Sequence, residues 1–173
     1  MAMHEAWLGM MLWALSLWSG LAVAEGYRAR PRQIRVLREA LVRMETEIVY
    51  GRTALEEIFR RLAAGTSGPL TGFFAEVAEV IAGGTDDLAP AFRQAVERHF
   101  PRAHLGREEQ AAVSALAEVL GRTDGASQIR HLRLALSALE ALEARAREEE
   151  ARYGRLARAF GFLFGLFLLV LFL

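Results

Sequence analysis

Ile34, Leu37, Leu41, Met44 and Ile48 recur at alternating spacings of three and four, which places them on one face of a helix. Pro31 suits the first turn of that helix, where a missing N–H is no loss. Gly51 supplies the expected stop, because a helix exit favours a left-handed residue. Thr53 and Glu56 have the T-x-x-E spacing of a capping box, ahead of Leu55, Ile58, Phe59 and Leu62. Together these features predict a helical hairpin. A third helix is predicted through Phe73, Phe74, Val77, Val80 and Ile81, between the loop at residues 65–69 and Gly83-Gly84. Asp86 or Asp87 caps a fourth, which carries Leu88, Phe92, Val96 and Phe100 and closes at Pro101. Ala112, Val113, Leu116, Val119 and Leu120 mark a fifth, ending at Gly121. Asp124 opens a sixth, with Ile129, Leu132, Leu136 and Leu139 on its apolar face. No stretch sustains strand alternation. The pattern predicts an all-α fold, an antiparallel bundle of about six helices with short connections.

The two ends have a different pattern. Residues 6–24 carry no charge, are long enough to cross a bilayer, which takes about 20 residues, and place Trp7 and Trp18 near their ends. Ala22-Val23-Ala24 also resembles a signal-peptide cleavage site. Against cleavage, the residues before the apolar run hold no Lys or Arg, and Arg28, Arg30, Arg32, Arg35 and Arg38 follow it. At the other end, Arg152, Arg155 and Arg158 precede the apolar run from Phe160 to Leu173. Arginine on the inner side of both runs places residues 25–158 in the cytoplasm by the positive-inside rule. The expected organisation is an N-terminal transmembrane anchor (1–24), a cytoplasmic helical bundle (25–158) and a C-terminal transmembrane anchor (159–173). Arg28, Arg30, Arg32, Arg155 and Arg158 are its membrane-flanking residues. The long sixth helix has no break before Gly154, so a helical stalk is expected between bundle and anchor.

Composition narrows the chemistry. All basic side chains are arginine, the formal net charge is +0, and there is no cysteine. That balance gives no reason to expect a nucleic-acid partner, and the absence of cysteine excludes disulfides and thiolate chemistry. His4, His99, His104 and His131 form no metal-ligand spacing, and a P-loop lacks its lysine. Glu108 and Glu109 read as dipole partners in the first turn of a helix. The expectation is a protein without catalytic residues, cofactor or metal. Arg35, Arg38, Glu45 and Glu47, on the flank of the first helix, are the candidate partner-binding residues. Gly161 and Gly165 form a G-x-x-x-G pair of the kind that lets membrane helices approach closely.

The segment RPRQIRVLREALVRMETEIVYGRTALEEIFRRLA resembles the opening of the stage III sporulation protein AB family, with its RP-x-x-I-R-x-L start and L-E-T-E-I-x-Y-G block. Leu120-Gly121-Arg122-Thr123-Asp124, Gln128 and the closing apolar segment from Gly161 to Leu173 are similar to later parts of that family. Met44 replaces a usual leucine, Arg52-Thr53-Ala54 replaces a T-P after the YG pair, and the fourth helix lacks an expected tryptophan. The resemblance implies a protein of the mother-cell membrane around the forespore, with a cytoplasmic domain similar to the type II secretion platform protein. It implies a non-enzymatic scaffold of a sporulation transenvelope channel. The implied partners are a secretion-type ATPase (stage III sporulation protein AA-like), other stage III sporulation channel proteins and the lipid bilayer. One competing expectation is an exported helical protein, cleaved after Ala24 and held by its C-terminal tail, and a second is a small pore- or lesion-forming membrane protein whose two apolar segments assemble.

Overall fold

In the computed structural model the backbone is described for residues 2–50, 53–84, 87–121 and 125–172, and within these the side chains of 2–10, 12, 17, 157, 158, 165, 168, 169, 171 and 172 lie outside the description. The chain is all-α. Among the described residues six α-helices follow in order: α1 (Ala2–Tyr50), α2 (Leu55–Gly65), α3 (Thr71–Ala82), α4 (Leu88–His99), α5 (Arg107–Ser114) and α6 (Gly125–Phe172). Single 3-10 turns at Pro101–Ala103 and Ala115–Glu118 flank α5. Two compact units emerge, one from residues 30–144 and one from residues 1–29 with 145–173.

The 30–144 unit is a helical bundle. The α1 face read from the sequence is its foundation, since Ile34, Leu37, Leu41 and Met44 are buried. Leu132, Leu139 and Leu142 of α6 are buried as well. Arg38 meets Glu143 and Glu45 meets Arg133, so these portions of α1 and α6 run antiparallel. The centre of α2 to α4 is aromatic. Phe73 lies 5.0 Å from Phe74, 5.4 Å from Phe92 and 5.3 Å from Phe100, each edge to face. This arrangement sets the positive rim of one ring against the negative face of the next. Asp87 caps α4 as expected, accepting from the Ala89 N–H at 3.1 Å. Asp86 and Asp124 lie outside the described residues.

Three local expectations are corrected. Pro31 does not open a helix but lies inside α1. Its ring leaves the Tyr27 carbonyl without an amide donor, a penalty of about 3 kcal/mol in a helix interior. Burial of Pro31 and Ile34 and the anchoring of Arg30 offset that penalty. Thr53 does not cap α2, whose N-cap is Ala54. Its hydroxyl donates instead to Glu47 Oε2 at 2.9 Å, so tertiary pairing outcompetes the capping box. The fifth helix stops at Ser114 and tightens into a 3-10 turn, with Gly121 adopting φ +75° beyond it.

The other unit pairs the N-terminal part of α1 with the C-terminal part of α6. Ser16 donates to the Gly161 carbonyl at 3.1 Å, and Tyr27 stacks on Tyr153 with ring centroids 5.8 Å apart. These two contacts fix an antiparallel alignment. A Cβ on Gly161 would lie 3.0 Å from the Gly20 Cα, so any larger residue would push the two helices apart. Gly161 of the G-x-x-x-G pair thus lies at the close approach of these two helices, and the Gly165 position lies outside the description. Met11, Leu15, Trp18, Leu21, Phe160 and Phe164 are exposed on the pair. Among the described residues no helix is long and apolar enough to cross a membrane. Parts of both expected spans, residues 6–10, 12 and 17 in one and 165, 168, 169 and 171–173 in the other, lie outside the described side chains.

Candidate functional site: the arginine–carboxylate lattice of α1

Within the 30–144 unit, the polar flank of α1 projects charged side chains onto carboxylates and an arginine contributed by other helices. Arg30 is the first. Its Nε and Nη2 donate to Glu109 Oε1 at 3.0 and 2.8 Å. The second Glu109 oxygen accepts the Gly106 N–H at 2.7 Å, at the start of α5. Glu109 is 0% exposed, and both of its oxygens are satisfied. A carboxylate removed from water in this way is tolerated only with such partners, because an unpaired buried charge costs several kcal/mol.

One turn along, Arg35 and Arg38 lie three residues apart on the same helix and converge on Glu143 of α6. Arg35 Nε donates to Oε1 at 3.2 Å and Arg38 Nη1 to Oε2 at 2.6 Å. The Glu143 side chain is 3% exposed, whereas those of Arg35 and Arg38 are 55% and 30% exposed. The acid is inside and the two guanidiniums form its lid. Glu140 stands 3.5 Å from Arg38 and adds a second, solvated acid.

Polarity then reverses along α1. Glu45 accepts from Arg133 Nε at 2.7 Å, and Glu47 accepts from Thr53 and from Arg61 at 3.2 Å. Arg61 also binds Glu57 at 2.9 Å. That hydrogen bond holds the Glu57 carboxyl below its ordinary pKa, with Arg60 acting in the same direction. Glu57 and then Glu47 raise Arg61 above its ordinary value.

The candidate partner-binding residues Arg35, Arg38, Glu45 and Glu47 are therefore all engaged in pairs within the chain. They belong to one lattice along α1, arginine toward Arg30 and glutamate toward Tyr50. Of the five membrane-flanking arginines, Arg30 is committed to Glu109. Arg32 is exposed in the same unit. Arg28 and Arg155 lie in the unit formed by the two ends, and the Arg158 side chain lies outside the description. Glu109 does stand in the first turn of its helix, as the sequence implied, but the burial and long-range pairing of Glu109 and Glu143 were not legible. Their spacing within their own helices carries no sign of burial, and their partners are 79 and 105 or more residues away.

A second polar cluster joins α3 to α4. Glu76 accepts from Arg98 Nη1 at 2.8 Å and contacts His99 Nε2 at 2.7 Å. Gly72 lies against the His99 ring, where a Cβ would come within 2.8 Å of an imidazole carbon. Among the described residues no group of three or more histidines or acids is placed to hold a metal ion.

An all-α protein, with a charged helical bundle as one unit and an apolar pair of chain ends as the other, is the class these features define. The family model for stage III sporulation protein AB matches residues 6–173, and the chain belongs to that family. The stage III sporulation protein AB of Bacillus subtilis (strain 168) is 35% identical over 154 residues, covering 89% of this chain and 90% of that protein. A solved structure of a stage III sporulation protein AB is similar at TM-score 0.66 and 34% identity, covering 70% of this chain and 96% of that one. The resemblance carried by the ETEI-YG block is thus a family relationship, and this is a sporulation protein.

Proposed function

We propose that the chain is a non-enzymatic platform of a sporulation transenvelope channel in the mother-cell membrane. Its apolar ends sit in the bilayer, and its bundle faces the mother-cell cytoplasm. There it couples a secretion-type ATPase, of the stage III sporulation protein AA kind, to the other channel proteins. The observation carrying this reading is the division of the chain within a sporulation family. One unit exposes large apolar side chains on both of its helices, and the other carries a charged lattice along α1. A side chain such as Trp18 or Phe164 is stabilised on an outer surface by hydrocarbon. Arg35 and Arg38, held on the buried Glu143 and reaching water, offer a partner positioned guanidiniums with little left to reorganise.

The antiparallel pair also bears on the exported alternative. Cleavage after Ala24 would remove Ser16 and Gly20, and with them the packing partner of Gly161. That dependence supports an N-terminal segment retained in the working protein.

The test is capture of the ATPase by the full chain in nanodiscs. Binding in the micromolar range is expected, weakened by charge reversal at Arg35. No binding by the unaltered chain would remove the coupling role.

A further inference from the structure

In the unit formed by the chain ends, a groove is lined by Arg28 of α1 and by Arg147, Glu150, Ala151, Gly154 and Arg155 of α6. We propose that this groove holds the phosphodiester headgroup of an anionic membrane lipid. The inference rests on the membrane placement of this unit and adds a ligand to it.

Helical spacing assembles the groove. Arg147, Ala151 and Gly154 stand at positions i, i+4 and i+7, on one face of α6, with Arg28 entering from α1. Gly154 keeps the floor low, since a Cβ there would meet nothing closer than Glu150 Cγ at 4.0 Å. Three arginines and one carboxylate, Glu150, line the groove. Among the described residues Arg28 has no ion-pair partner, in contrast to Arg30 two residues later. Arg155 Nε is fixed on the Ala151 carbonyl at 2.8 Å, which orients a planar fork suited to phosphate oxygens.

The surroundings select a lipid over a free anion. Tyr27 and Tyr153 stack beside the groove, the type of ring that collects at the level of headgroups. Immediately along α6, Leu156, Phe160 and Leu163 are exposed. A phosphate in the groove would thus have its acyl chains running over apolar surface. Glu150, on the rim, accepts hydrogen bonds from the hydroxyls of a glycerol headgroup and opposes a second anion.

The full chain in detergent is titrated with phosphatidylglycerol or phosphatidylcholine and read by native mass spectrometry, with inorganic phosphate as a third arm. Phosphatidylglycerol is retained preferentially, and Arg28→Ala and Arg155→Ala each weaken it about fivefold, the worth of one arginine near an anionic surface. Gly154→Leu fills the floor and weakens retention without changing charge. Arg102→Ala, at an exposed arginine of the 30–144 unit, leaves it unchanged. Equal effects of Arg28→Ala, Arg155→Ala and Arg102→Ala overturn the proposal, as does displacement of the lipid by millimolar phosphate. A chain that fractionates with membranes yet shows no headgroup preference defeats this site alone. A chain absent from the membrane fraction defeats the membrane reading as well.

Discussion

Substituting Glu143 by alanine removes the acid on which two arginines of α1 converge. In the native bundle this carboxylate is almost wholly enclosed and accepts from Arg35 and Arg38. Its loss leaves those guanidiniums facing a truncated, partly apolar site. Removing one partner of a fully buried pair costs about 3–5 kcal/mol, most of it from stranding the other charge. Here the stranded partners reach water, with Arg35 about half exposed and Arg38 about one-third exposed, so rehydration recovers part of the loss. The expected destabilisation is therefore roughly 2–3 kcal/mol, above the ~0.2–1 kcal/mol of solvent-exposed pairs. Hydrogen exchange along α1 from Arg30 to Tyr50 reads that change as a lowered opening free energy. A double-mutant cycle with Arg38→Ala isolates the pair and should return a coupling of about 1 kcal/mol or more. Added salt should leave the effect nearly intact, since screening acts weakly on enclosed charges. A destabilisation below about 0.5 kcal/mol, or a cycle without coupling, would refute the enclosed-acid account.

Further outcomes follow from neighbouring sites. Phe73→Ala removes the ring shared by three edge-to-face contacts and should lower bundle stability by about 3–5 kcal/mol in chemical denaturation. Gly161→Val forces a side chain against Gly20 and should destabilise the paired ends by about 1–3 kcal/mol, measured as faster proteolysis of that unit in detergent. Glu57 should titrate below the ordinary glutamate value by NMR, and Arg61→Ala should return it upward. Because its folded pKa is depressed, its contribution to stability is present above the unfolded carboxylate pKa and disappears as pH falls through the folded value. Gly72→Val should push the His99 ring off Glu76, seen as a displaced imidazole resonance.

The sequence exposed what is local and periodic. The buried stripe of α1 follows from its three-four spacing, and the Asp87 cap follows from one polar residue before an apolar helix. Pro31 shows where local rules end. A start signal by propensity, it lies inside a long helix because burial and the Arg30–Glu109 pair outweigh one lost backbone bond. Thr53 and Glu56 had the right spacing for a cap, yet the Thr53 hydroxyl is claimed by Glu47 from the preceding helix. The lattice was half legible. Its arginines stood out as a cluster, but the enclosed acids Glu109 and Glu143 resembled ordinary surface charges. Only the tertiary fold, which brings α5 and α6 against α1, distinguishes them.

The central claim is that the chain ends lie in a membrane and the lattice-bearing bundle stands on its cytoplasmic side. Protease added outside intact spheroplasts producing the full chain tests it most directly, with mass spectrometry of the fragments. The account predicts that residues 30–144 stay whole until the membrane is permeabilised and are then cut. Cleavage within that unit before permeabilisation would contradict it.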